Sequence, residues 1–228
     1  MATKRSKRYR SNVEKIKTPE LMTIEEAIDM LQAFEKVKFD ESVEVHLKLN
    51  INPKKTEQQI RASVELPHGT GNTPTIAVFA KGEKMDEAKK AGADFVYDED
   101  GIEKLKGGEK ILFDISVATP DMMPRLAMIA KILGPKGLMP SPKTETVTPN
   151  IADAVSQLKR GKANFKSDEG GCLHQSIGRL SYEKEKLKEN FKVFIESIEK
   201  QKPPKLKGRL IKSITLSATM SPGITVRH

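Results

Sequence analysis

Residues 38–51 read KFDESVEVHLKLNI, and their alternation decides the fold. Val43, Val45, Leu47, Leu49 and Ile51 fall on one side, with Glu44, His46, Lys48 and Asn50 on the other. Period-two alternation of this length predicts a half-buried strand, one face on a core and one in water. Residues 211–220, IKSITLSATM, repeat the pattern. There Ile214, Leu216 and Ala218 point inward, Ser213, Thr215, Ser217 and Thr219 point outward, and Lys212 breaks the alternation. If the two strands share a sheet, four hydroxyls beside Glu44, His46 and Lys48 form a binding face for a polar partner. The competing reading is that Ser and Thr simply suit exposed strand positions.

Working outward, Thr23 and Glu26 have the spacing of a capping box. It opens a helix whose stripe is Ala27, Ile28, Leu31 and Phe34. Residues 60–66 form a second alternating strand, and 163–166 and 172–177 read as a hairpin around Gly170-Gly171. Ser181 caps a helix from Glu183 to about Lys200, broken by Pro203-Pro204.

Between these parts the style changes. After Leu66-Pro67-His68-Gly69-Thr70-Gly71, residues 75–80, 93–97 and 113–118 are short apolar runs of the kind covered on both faces. Helices at 82–92, near 101–105, at 121–133 and at 150–159 separate or follow them. The expectation is a two-domain α+β protein. Residues 1–67 and 160–228 form a split domain with a mainly antiparallel sheet plus helices. Residues 68–159 form an inserted three-layer, Rossmann-like α/β domain, joined by two crossings that act as a hinge.

The 228 residues carry 40 basic and 31 acidic side chains, a formal +9, with 37% apolar residues. Such a balance supports a packed core and an anionic partner, nucleic acid before a membrane surface. Residues 1–17 hold Lys4, Arg5, Lys7, Arg8, Arg10, Lys15 and Lys17 against Glu14 alone, and read as a mobile tail touching phosphates. A second basic run, Lys200, Lys202, Lys205, Lys207, Arg209 and Lys212, leads into the hydroxyl-bearing strand. With no Trp and 5% aromatics, base stacking cannot dominate, so a structured RNA read by shape and 2′-hydroxyls fits better than a single strand.

One cysteine, Cys172, excludes an intrachain disulfide and a cysteine-cluster zinc site. The four histidines, His46, His68, His174 and His228, show no paired-ligand spacing, so no metal and no cofactor are expected. Cys172 and His174 share a strand face, either as a reactive pair or as a packed thiol. The acidic run Asp98-Glu99-Asp100 reads as a solvated loop. The basic start precedes no apolar run, and no window reaches the roughly 18 apolar residues of a spanning helix. A cytoplasmic protein that is not an enzyme is expected.

The run Gly134-Pro135-Lys136-Gly137-Leu138-Met139-Pro140-Ser141-Pro142-Lys143 matches neither a P-loop nor GxGxxG. It follows a helix and so faces the negative end of its dipole, which repels phosphate. It reads as a rigid loop presenting Lys136 and Lys143 to nucleic acid or to another protein. A second function class is a phosphate-metabolite enzyme seated at the strand ends of the middle domain, where ligands of parallel sheets usually bind.

KFDESVEVHLKL, LPHGTG, KGEKMDEAKKAGAD, ILGPKGLMPSPK and TMSP, in this order, make the whole chain resemble the bacterial ribosomal protein L-one family of the mobile stalk. The resemblance implies binding to stalk rRNA of the large subunit, contact with exit-site tRNA and repression of its own operon mRNA. The protein would be a monomer within the cytoplasmic ribosome. It also implies RNA contacts at Lys38, Phe39, Ser42, Glu44, Lys48, Ser213, Thr219 and Met220, to which the hydroxyl row adds Thr215 and Ser217. Ser221 stands where the family usually has Gly, and it is kept as a contact.

Overall fold

The computed structural model describes residues 5–16, 21–204 and 206–227. Lys4, Lys17, Lys205 and His228, named above, lie outside them. In chain order the elements are helices α1 (Lys7–Lys15) and α2 (Ile24–Ala33), and strands β1 (Ser42–Leu49), β2 (Arg61–Glu65) and β3 (Ile76–Phe79). Then come α3 (Glu83–Lys90), β4 (Phe95–Tyr97), α4 (Glu99–Lys106), β5 (Ile115–Ala118), α5 (Met123–Leu126) and α6 (Ala130–Leu133). The chain closes with α7 (Ile151–Arg160), β6 (Lys162–Lys166), β7 (Cys172–Arg179), α8 (Lys184–Lys200), β8 (Ile211–Ala218) and β9 (Ile224–Val226). The fold is mixed, with antiparallel and parallel sheets in one chain. It divides into two compact units, one from the residues up to Gly71 and from Asn164 onward, the other Asn72–Ala163.

In the first unit the sheet order is β7-β1-β8-β9, antiparallel throughout. Val43, Val45, Leu47 and Leu49 are at most 1% exposed and share their face with Ile214, Leu216 and Ala218. Helices α2 and α8 pack on each other and on this sheet. Burying each large aliphatic side chain stabilises by roughly 1.5–3 kcal/mol, which is why the register cannot slip. The break at Lys212 has a local cause. Lys48 pairs with Ser213 but Leu49 with Ile211, so Lys212 is the extra residue of a bulge.

Several sequence expectations are corrected in this unit. Residues 163–166 and 172–177 reverse direction but form no hairpin, because β6 pairs with β2 while β7 pairs with β1. Phe165 goes to Phe194 of α8, edge-on at 5.6 Å, whereas Leu173 and Ile177 are buried in the larger sheet's strand. Ser181 is not the cap of α8; its hydroxyl donates to Asp40 and Glu183 holds the cap position. Among its described residues, the basic N-terminal segment is not a loose tail. Ser6 caps α1, and the fully buried Asn12 accepts from Glu35 N–H at 2.9 Å and donates to Glu35 C=O at 3.3 Å.

The second unit is a three-stranded parallel sheet, order β4-β3-β5. All four β3 residues are buried because helices cover both faces. Phe79 and Ala77 join Ile102, Leu105, Leu126, Ile129 and Leu133 in one core. Ile76 and Val78 join Ala88, Ile151, Val155 and Leu158 in the other. The single helix expected over 121–133 is instead a broken run of short α and 3-10 turns containing Pro124. Asp98 is no loop residue, since its carboxylate caps α4 by accepting from Gly101 N–H at 2.9 Å. Asn150 occupies the cap position of α7, yet its side chain bonds Asp153 rather than the backbone.

Candidate nucleic-acid interface

Pairing of β1 with β8 sets Glu44 opposite Ser217, His46 opposite Thr215 and Lys48 opposite Ser213. On its other edge β1 brings Ser176, His174 and Cys172 to the same three residues. Thr225 of β9 lies opposite Thr215. Directly opposed residues share a face. The polar face is therefore four strands wide, and Glu44, Lys48, Ser213, Thr215 and Ser217 all lie on it. Lys48 and Ser213 are exposed, and Glu44, Thr215 and Ser217 are half-buried.

Ser42 and Thr219 meet at one end of this face. Ser42 N–H donates to the Thr219 hydroxyl at 3.1 Å, and Thr219 N–H donates to Ser42 C=O at 3.1 Å. The Ser42 hydroxyl accepts from Arg179 at 3.0 Å. Beyond it the chain turns, with Ser221 N–H donating to Ala218 C=O at 2.9 Å and Met220 at φ 62°. This left-handed conformation is unusual for a residue with a side chain. It leaves Met220 68% exposed. Lys38 is exposed and Phe39 is 51% exposed, so Phe39 is not core. Ser221 differs from the others, because its half-buried hydroxyl donates inward to the Glu41 carboxylate at 3.2 Å.

Two residues bordering the face, Glu41 and Arg179, escaped the sequence reading, and Arg8 entered it only as part of a mobile basic tail. Glu41 is 2% exposed and accepts both the Ser221 hydroxyl and Val37 N–H, tying the 37–41 loop to the turn after β8. Arg179 comes from β7, and Arg8 from α1 donates to Met220 C=O at 2.7 Å. None carries a periodic signal, since each matters only through partners more than a hundred residues away or through burial. At the far end Lys48 Nζ donates to Gly170 C=O at 2.6 Å.

A chain of polar contacts crosses the face. The Ser217 hydroxyl is 2.8 Å from His46 Nε2, and His46 Nδ1 is 2.8 Å from His174 Nδ1. Glu44 lies 3.8 Å from His46, and Asp168 3.8 Å from His174. Burial, then His174, lowers the His46 pKa below its ordinary 6.5, while Glu44 opposes this. A hydroxyl beside an imidazole suggests a nucleophile, but catalysis of that kind needs donors aimed at a developing oxyanion. Here the strand N–H groups lie in the plane of the sheet and bond neighbouring strands. The network orders the face and offers donors and acceptors to a bound polar molecule.

Lys136 and Lys143 belong to the second unit and are exposed. Their loop is anchored by Leu138 and Met139 packed on the core, by the Ser116 hydroxyl bonded to Leu138 C=O, and by buried Thr144 and Thr146 around Ser141. At the carboxyl end of β3, Lys81 and Arg125 both pair with Glu99, an acid set where a phosphate ligand would need uncompensated cations. Among the described residues, no cluster of three or more His, Cys, Asp or Glu is placed to hold a metal, and no helix is long and apolar enough to cross a membrane.

A model of the Ribosomal protein L1p/L10e family matches residues 31–222. The large ribosomal subunit protein uL1 of Kosmotoga olearia is 46% identical over 225 residues, covering 99% of this chain and 97% of its own length. That of Chlamydia caviae is 46% identical over 224 residues (98% and 96%), and that of Thermobifida fusca 47% over 223 (98% and 94%). The chain belongs to the ribosomal protein L1p/L10e family, as the resemblance of its motifs led one to expect.

Proposed function

We propose that the protein is a structural constituent of the large ribosomal subunit, in the cytoplasm, and that its polar sheet face binds folded rRNA of the mobile stalk. The single observation carrying this is the adjacency of β1 and β8, which puts Ser42, Glu44, Lys48, Ser213, Thr215, Ser217 and Thr219 on one surface. Hydroxyls at strand spacing reach sugars and base edges, and lysines neutralise phosphates. Lys38, Phe39, Met220 and Ser221 border that surface. The split unit is the rRNA-binding domain and the Asn72–Ala163 unit the inserted domain.

In the same reading Lys136 and Lys143 contact exit-site tRNA and assist its release. The rRNA face also binds a leader in the protein's own operon mRNA, repressing translation. Titration with a bacterial large-subunit rRNA transcript at two salt concentrations tests the core claim. Affinity falls steeply with salt, by several phosphate contacts. A flat salt response, or a Lys48→Gln variant with an unchanged slope, sinks it. Lys136→Gln leaves rRNA affinity intact and lowers tRNA affinity; equal losses on both RNAs refute that division. Footprinting on the operon leader decides the repressor role.

A further inference from the structure

Helix α1 ends the polar face at Met220. The Arg8 guanidinium donates to Met220 C=O at 2.7 Å and to Glu35 C=O at 3.3 Å. Both acceptors are backbone carbonyls, so the guanidinium keeps its charge. Arg5 lies 4.7 Å over the Tyr9 ring. Between these groups is an open cleft of about 340 Å³ lined by Arg5, Ser6, Arg8, Tyr9 and Met220. Lys7 and Arg10 are exposed on the same helix.

We infer that this cleft holds one unpaired nucleobase at the edge of the bound RNA, which makes α1 part of the interface. The inference rests on the RNA-binding reading of the sheet face. The cleft's chemistry favours a base. A stacked guanidinium and phenol ring offers a flat, sequence-tolerant platform, and a thioether adapts to an irregular apolar edge. Charge favours it as well, since Arg5 and Arg8 flank the apolar floor made by Tyr9 and Met220, suiting a flat ring tethered to phosphates rather than an apolar peptide. The cleft is also continuous with the face, because Met220 follows Thr219, whose hydroxyl accepts from Ser42 N–H. The positive φ of Met220 turns its side chain outward to the cleft instead of into the core.

Full-length protein is titrated with a bacterial large-subunit rRNA transcript. Tyr9→Ala and Met220→Ala each weaken binding about tenfold, the loss of one stacked base. Tyr9→Phe, which keeps the ring, binds as wild type does. The double variant is within about threefold of the weaker single, because one base is lost only once. Far-UV circular dichroism of every variant matches wild type. Tyr9→Ala binding at wild-type strength overturns the inference, since Met220 would then act without the helix. Fully additive losses overturn it too. If Tyr9→Ala spares the transcript and impairs only incorporation into subunits, the cleft holds a protein and the inference is wrong. If wild-type protein shows no salt-dependent binding to the transcript, the rRNA reading itself fails.

Discussion

His46 on β1 and His174 on β7 face each other across the ladder with their Nδ1 atoms 2.8 Å apart. One ring must donate and the other accept, so the contact requires at least one neutral imidazole. The depressed pKa of His46, from burial and then His174, means that the unfolded chain takes up a proton there before the folded one does. Stability is therefore complete above about pH 6.5 and falls as pH drops through the unfolded value, levelling off below the folded one. Urea midpoints at pH 7.5 and 5.5 check this. His46→Gln flattens the decline, and an equally steep decline in that variant removes His46 as its source.

Thr219→Val removes the hydroxyl that accepts from Ser42 N–H at the end of the face. Specific rRNA binding weakens by about 1–3 kcal/mol, with little change in the salt slope because no charge is lost. Filter binding at two salt concentrations separates the two effects.

Glu41→Ala leaves the half-buried Val37 N–H and Ser221 hydroxyl without the buried carboxylate that accepts from them. Losing hydrogen bonds to a charged acceptor costs about 1–3 kcal/mol in all, since water reaches the half-buried donors. Chemical denaturation measures that loss. RNA affinity falls with it, because the 37–41 loop and the turn after β8 border the same face.

Asn190 is fully buried on α8, accepting from His68 N–H at 3.1 Å and donating to Gly69 C=O at 3.0 Å and Ile177 C=O at 2.8 Å. Asn190→Leu keeps the branched shape, though not the volume, and strands these groups, lowering stability by about 1–3 kcal/mol per group left unpaired. Tm and urea midpoints both fall.

The strands other than β9, the capping box at Thr23, the buried character of β3 and the polar row on β8 were all legible in the chain. Each is a local pattern, where side-chain period and backbone geometry coincide over a few residues. Partner choice was not legible. Periodicity says which face of β7 is wet, yet it says nothing about whether β7 pairs with the neighbouring β6 or with β1. The hairpin expectation failed for that reason. The site was half legible in the same way: Lys48, Ser213, Thr215 and Ser217 announce themselves by alternation, whereas Glu41, Arg8 and Arg179 do not.

The sequence by itself determined most of the elements, their buried sides and the family, because these follow from residue order and need no knowledge of distant neighbours. Only the tertiary structure decided that β1 lies between β7 and β8 and that the basic N-terminal segment folds onto the Met220 turn. Those outcomes depend on which apolar faces cover one another, a choice made by the whole core at once.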